Sequence, residues 1–459
     1  MTEESQAQLY CARWALPITS APIEDGAVAI AGEQIAGVGT REALSAEFPG
    51  ATVKDFGEAA ILPGLVNCHT HLELTAMRGF LEREEGDFFA WLKKLTIARL
   101  ERMTPDDLQV SAAWGAIEAV RAGVTCVGDA SDAASQSMIA LRDVGLRGIV
   151  YQESFGPDAK LAREYFEKLR EKLEGLREFE NARVRLGVSP HAPYTVSAPQ
   201  LEMISEYALA QKMPLMMHAA ESEAEMLLLR EGSGVFAESL ARRGIEFQVP
   251  RCSTIQYLAA HGILSTRPLL AHCIHVDEQD IETLKQADAR VAHCPKSNAK
   301  LGHGRAPLAA FIKHGLKAGI GSDSVASNNT CDMLEEARFA ALLSRAGGDR
   351  IDNQRMMNAE DALRAATHGG ATALGLENHI GALAVGMQAD LVIVSLGGAH
   401  QQPVHDPTTA LIFASSGRDV RLTMIAGREV YSEGRVTTVD EAHLRARMKE
   451  ILKAVTSDK

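Results

Sequence analysis

Between residues 60 and 375 short apolar runs alternate eight times with longer amphipathic segments, and this rhythm constrains the fold more than any single motif. Runs of that length suit strands buried on both faces, and the longer segments suit the helices that connect parallel neighbours. The predicted strands are Ile61–Val66, Thr125–Asp129, Arg147–Gln152, Val184–Ser189, Pro214–His218, Pro268–His272, Arg290–His293 and Lys317–Asp323. A capping Thr104 with Pro105 at the first helical position opens one connecting helix, which runs through Arg121. Eight parallel strands with helical crossovers predict a closed (β/α)8 TIM barrel in an α/β fold.

The flanks have another character. Residues 5–58 and 378–437 are short alternating runs broken by turn residues, such as Gly26–Gly32, Ala389–Val394 and Met424–Val430. Both ends are expected to supply strands to one small discontinuous β-sandwich. The chain then divides into 1–58, a barrel over 59–376, and 377–459, which ends in a helix from Asp440 to Val455.

Composition narrows the partners. With 46% hydrophobic and 23% charged residues, the 459-residue chain has the balance of a globular protein with a large core. A formal net charge of −13 argues against nucleic acid and for a small-molecule substrate. The seven cysteines are odd in number, scattered and without CxxC spacing, so buried free thiols are expected rather than disulfides or a cysteine metal knot. Met1–Pro17 lacks a basic region followed by an apolar core, and no apolar stretch is long enough to cross a bilayer. A cytoplasmic protein with no membrane partner is expected.

The polar residues fall where a barrel enzyme keeps its chemistry. His69, His71, His191, His218, His272 and Asp323 all stand at or just past the C-terminal end of a predicted strand. In His69-Thr70-His71 the imidazoles are two residues apart, so an extended chain projects both to one side, as half of a first-row metal site. His218 closes its strand and Glu221 follows, pairing a third nitrogen donor with an acid able to move protons. Each has a plainer reading alone: surface histidines at 69 and 71, a satisfied core histidine at 218, a helix-capping carboxylate at 323. Together they point to one divalent metal held by three imidazoles and a carboxylate, with His272 beside it orienting the attacking water.

These residues in this order, with Ala271-His272-Cys273 and Ala326-Ser327-Asn328-Asn329, resemble the amidohydrolase superfamily over nearly the whole chain, specifically its cytosine/adenosine-deaminase and chlorohydrolase-like branch. The resemblance implies His69, His71, His218 and Asp323 as ligands of one divalent metal per subunit, commonly Zn2+, with Fe2+ or Mn2+ also compatible with the N/O donors. It implies catalysis by Glu221 as proton shuttle, by His272 and by Asp323. Pro190-His191 follows the fourth strand where binuclear relatives carry a lysine, so a single metal is expected. Homo-oligomers, dimers or larger, are common among such relatives.

Leu186–Tyr194 is similar to the substrate-binding stretch of methylthioadenosine/S-adenosylhomocysteine deaminases, which makes His191 a contact to bound nucleoside. Two positions depart from those enzymes: Leu100 falls near their ribose-binding glutamate, and Gln152 replaces an arginine. His71-Leu72-Glu73-Leu74-Thr75 and Gly86–Leu92 are instead similar to stretches of 6-aminodeoxyfutalosine deaminases of menaquinone biosynthesis. Glu73, Trp91 and Glu153 thereby join His191 as expected substrate-binding residues, although Trp91 equally suits plain core packing. The implied activity is hydrolytic deamination of an adenine nucleoside, 6-aminodeoxyfutalosine ahead of methylthioadenosine or S-adenosylhomocysteine. A triazine chlorohydrolase or a triazine- or guanine-type aminohydrolase is the alternative, since the same four ligands serve any activated aromatic carbon. A non-enzymatic scaffold is disfavoured, because every expected catalytic position is filled.

Overall fold

A computed structural model describes residues 7–352 and 355–456, so residues 1–6 and 457–459 of the expected flanking segments lie outside the described residues. Leu65–Thr70, Val124–Ser131, Arg147–Ser154 and Val184–Pro190 form one parallel four-stranded sheet. Met216–Ala219, Leu269–His272, Arg290–His293 and Lys317–Ile320 form a second. The two halves meet at two seams. At one, Val188 bridges Leu215 and its N–H donates to the Pro214 carbonyl at 2.9 Å. At the other, the Asp323 N–H donates to the His69 carbonyl at 2.9 Å, while the Asn67 side chain donates to the Ser322 hydroxyl at 2.7 Å and accepts its N–H at 2.9 Å. The result is the (β/α)8 barrel, with helices over the outer faces and Val66, Cys68, Cys126, Ile149, Tyr151 and Met216 in an inner cluster.

The expected helix forms over Pro105–Arg121. Thr104 Oγ1 accepts the Asp107 N–H at 3.2 Å and the Asp107 carboxylate accepts the Thr104 N–H at 3.0 Å, a reciprocal cap that satisfies two orphan donors. Six of the seven cysteines are buried, Cys252 is half-buried, and none forms a disulfide. Among the described residues no helix is long and apolar enough to cross a membrane.

The apolar run at 61–66 is not the single barrel strand expected. Ala59–Pro63 pairs with Leu391–Ser395 in the flanking sheet, and only from Leu65 does the chain enter the barrel. Gly64 is the break, because a Cβ there would lie 2.0 Å from the Thr125 hydroxyl oxygen. Both pieces are buried throughout, so no change of pattern marks the boundary. The eighth strand likewise stops at Ile320, three residues short of Asp323.

The flanking strands from both ends of the chain join in one nine-stranded sheet whose hydrogen-bonded path is continuous. Gln8–Ala15 pairs with Ile23–Ala31, Thr52–Asp55 and Ala59–Pro63, and the last of these receives the strands from the far end of the chain. A buried bidentate ion pair fastens this sheet to the barrel: Arg147 Nε and Nη2 donate to Asp390 Oδ2 and Oδ1 at 2.7 and 3.0 Å. The C-terminal helix, Glu441–Thr456, places Ile451 and Val455 in a cluster with Leu74 and Trp91 beneath the helix Phe88–Arg102.

Candidate metal centre and active site

His69 lies within the first barrel strand and His71 just past its end, and both rings turn into the barrel mouth. His71 Nε2 stands 3.2 Å from His218 Nε2, and Asp323 Oδ1 lies 3.5 Å from Nε2 of both His69 and His71. His218 Nδ1 donates to the His191 carbonyl at 2.9 Å, which leaves its Nε2 as a bare lone pair. His69 Nε2 is buried with no hydrogen-bond partner. Facing lone pairs beside a carboxylate, with the donor atoms of the three imidazoles all within 4.8 Å, fit a divalent cation. Burial pushes His71 down to about 3 and lowers His69 and His218 as well, so the rings stay unprotonated.

Asp323 is held from behind. Ser297 and Ser327 hydroxyls donate to Oδ2 at 2.6 and 3.0 Å, and the Ser324 N–H donates to Oδ1 at 2.7 Å. Burial works against its ionisation, but the adjoining imidazoles of His69, His272 and His71 hold the carboxyl well below its usual range. Asp323, His272 and Ala220 all sit at positive φ, of 58°, 73° and 52°, a strained conformation at or just past the ends of barrel strands that border the cluster.

Glu221 and His272 flank this cluster, with His272 Nε2 3.5 Å from Glu221 Oε1. His272 Nδ1 is held at 2.8 Å by Asn298 Oδ1. Burial pushes the Glu221 carboxyl up to about 7, against the pull of the His272 charge. That value suits an acid–base group working near neutrality. For His272 burial is outweighed by Glu221 and Asp323, and its pKa is raised.

Above these groups opens a cavity of about 660 Å³ with His71, His191, His218, Glu221, His272 and Asp323 on its lining. Its walls are aromatic: Phe88, Phe89, Trp91, Phe155, Tyr194 and Phe236. Lys93 and Arg243 also border it.

The residues expected to touch substrate all line this cavity, in different ways. His191 Nδ1 is 2.9 Å from Thr195 Oγ1, whose own proton goes to the Ala192 carbonyl at 3.1 Å. That bond makes Nδ1 the donor and leaves His191 Nε2 as an acceptor. Glu153 Oε1 is buried without a partner, and burial with the neighbouring Glu73 raises its carboxyl well above the usual range. Trp91 stacks on Phe88 with centroids 6.2 Å apart. Glu73 accepts from the Ser131 hydroxyl, from the Ala133 N–H at 2.9 Å and from Arg99 at 3.2 Å, so its oxygens are already engaged within the wall. Leu100 is exposed at the rim, whereas Gln152 is tied to the Asp132 and Glu153 carbonyls and does not reach the cavity.

Sequence reasoning missed several neighbours. Arg99, held by Glu73 and by Asp132 at 2.9 Å, puts a cation in the wall beside Glu153. Ser297 and Asn298 support Asp323 and His272, and His303 approaches Glu221. Ser297-Asn298 follows the seventh strand as Ser327-Asn328 follows the eighth, a parallel that was readable; the partners were not.

The profile of the amidohydrolase family matches residues 60–430, and that of a bacterial imidazolonepropionase-like composite domain matches 26–51. A 5-methylthioadenosine/S-adenosylhomocysteine deaminase of Nitratidesulfovibrio vulgaris is 33% identical over 435 residues, covering 94% of this chain and 92% of that protein. The chain belongs to the amidohydrolase family. Its place is in the deaminase branch, and its chemistry is that of a hydrolytic aminohydrolase acting on C–N bonds. A second relative in the family, with the same name and from Pelotomaculum thermopropionicum, is 33% identical over 427 residues, 92% of each chain. Among solved structures, an adenosine deaminase from Xanthomonas campestris with bound zinc superposes with a TM-score of 0.86 at 29% identity over 98% of both chains. The family membership and the His69–His71–His218 group together support a single metal at this site.

Proposed function

We propose that this chain is a metal-dependent deaminase of an adenine nucleoside, and that 6-aminodeoxyfutalosine is its substrate, deaminated to futalosine and ammonia in menaquinone biosynthesis. The observation that carries the reading is Glu221, a buried carboxyl pushed up to about 7 beside a four-donor cluster, at the floor of an aromatic cavity. The curated relatives are named as deaminases of adenine nucleosides, which agrees with it.

His69, His71, His218 and Asp323 would hold the metal, with zinc favoured by the bound ion of the Xanthomonas relative. A divalent metal there would supply the Lewis acid that makes water nucleophilic near neutral pH. Glu221 takes a proton from the attacking water and delivers it to the purine ring nitrogen, while His272 and Asp323 orient the nucleophile at C6. The emptied carboxylate then takes the remaining proton from the new C6 hydroxyl and passes it to the amine as the C6–N bond breaks and the C6=O bond forms, so water and adenine become the 6-oxo purine and ammonia. His191 Nε2 and Glu153 face the nucleoside as acceptor and donor.

The finer assignment rests on the far end of the cavity. By the sequence resemblance Leu100, at the rim, falls near the ribose-binding glutamate of methylthioadenosine/S-adenosylhomocysteine deaminases, and Gln152, behind the wall, replaces their arginine. Aromatic walls with Lys93 and Arg243 at the border suit a nucleoside extended by an aryl carboxylate. Purified metal-replete protein is to be given adenosine, methylthioadenosine, S-adenosylhomocysteine and 6-aminodeoxyfutalosine, following ammonia release. The reading expects kcat/KM for the last to exceed the others by about tenfold or more, a difference of ~1.4 kcal/mol in transition-state binding. Equal or better turnover of S-adenosylhomocysteine would reassign the substrate, and no turnover of any adenine nucleoside would remove the deaminase reading altogether.

A further inference from the structure

Two imidazoles, not one, face the carboxylate of Glu221. Oε1 lies 3.5 Å from His272 Nε2 and 3.8 Å from His303 Nε2, and both nitrogens are buried without a hydrogen-bond partner. His303 sits in Gly302-His303-Gly304, just past the short helix Pro295–Lys300. The flanking glycines have φ of 71° and 107°, and this turn sends the ring inward until its side chain is 6% exposed. Asn298 holds both residues at once: its side-chain oxygen takes the His272 ring at Nδ1, 2.8 Å away, and its backbone carbonyl accepts the His303 backbone N–H at 2.9 Å. Phe88 meets the His303 ring edge-on, with centroids 4.4 Å apart.

Phe88 lines the cavity and His303 does not, so His303 reaches a substrate through Glu221 rather than by contact. A separation of 3.8 Å is longer than a formed hydrogen bond. Such pairs commonly tighten when substrate fills the site, and a ligand packed on Phe88 presses on the ring behind it.

We propose that His303 is a positioning residue for Glu221, donating from Nε2 to Oε1 and so leaving Oε2 as the oxygen that carries the proton. This rests on Glu221 being the proton shuttle. Two oxygens of one carboxyl thereby take different tasks, one anchored between two imidazoles and the other free to exchange protons.

The test uses His303→Ala, which removes the donor, and His303→Gln, which keeps a side-chain N–H. With an adenine nucleoside that the wild type deaminates, His303→Ala should lower kcat by about tenfold or more, with KM within about threefold and metal content unchanged. His303→Gln should recover most of the lost kcat. An unchanged kcat in His303→Ala overturns the proposal, as does a His303→Gln enzyme as slow as His303→Ala. A second measurement needs no substrate. In metal-replete protein labelled at histidine Cε1, the His303 resonance, identified by its loss in His303→Gln, should move on Glu221→Gln; an unmoved resonance also overturns it. If the wild type turns over no adenine nucleoside, the shuttle role fails first, and the resonance still reports whether the two side chains touch.

Discussion

Glu221→Gln separates binding from proton transfer more cleanly than any change of a metal donor. The amide keeps the size of the carboxyl, so the packing against His272, His303 and Tyr194 survives, but it cannot take up or release the proton. Loss of a general acid–base group costs on the order of 10²–10⁴ in kcat, or ~2.7–5.4 kcal/mol of barrier. The wild-type carboxyl is pushed up to about 7 and must be ionised to accept a proton, so activity falls as pH drops through that value. About one-tenth of the molecules are competent at pH 6 and about nine-tenths at pH 8, a roughly tenfold rise in kcat/KM. Ammonia release between pH 5.5 and 9, with metal content measured on both proteins, checks the two effects together. The expected outcome is full metal occupancy, nearly unchanged KM, a deep loss of kcat, and a residual rate with no acid limb near neutrality. A kcat within tenfold of wild type, or an acid limb that persists in the variant, would refute the reasoning and pass the role to His272.

His218→Ala removes the ring that faces His71 Nε2 at 3.2 Å, and it should abolish metal retention and activity together, as read by elemental analysis after dialysis. Arg147→Ala strands the Asp390 carboxylate, which keeps only the Ala426 N–H at 2.8 Å. Chemical denaturation should register a loss of about 3–5 kcal/mol with metal donors untouched. Gly321→Ala places a Cβ 2.9 Å from the backbone nitrogen and oxygen of His69, so the strand end must shift. Weaker metal binding is expected, with a midpoint of metal loss at lower chelator concentration than in wild type. Wild-type binding here would mean that the seam yields freely.

The barrel was legible because its strands are buried on both faces and so read as unbroken apolar runs, and because each site residue follows such a run. The same continuity hid the break at Gly64. Ala59–Pro63 and Leu65–Thr70 belong to different sheets, and only the close approach of Thr125 divides them. It also extended the last strand to Asp323, whose left-handed backbone lies beyond Ile320. The four proposed metal donors were readable as residue types at strand ends. Their supports were not: Ser297 reaches Asp323 across 26 positions, Arg99 reaches Glu73 across 26, and His303 reaches Glu221 across a turn whose direction only the folded chain defines. Glu73 shows the converse, a motif residue whose oxygens the fold spends on its own wall.

The proposed donors are shared evenly between the two half-barrels, His69 and His71 from the first sheet and His218 and Asp323 from the second. Neither half carries more than a bidentate fragment, so a cation binds tightly only after both have come together. Loading would therefore be a checkpoint on assembly: a chain whose halves have not docked would offer the ion only two donors at a time, and a chain that had captured it would carry a cross-link over the seam where His69 meets Asp323.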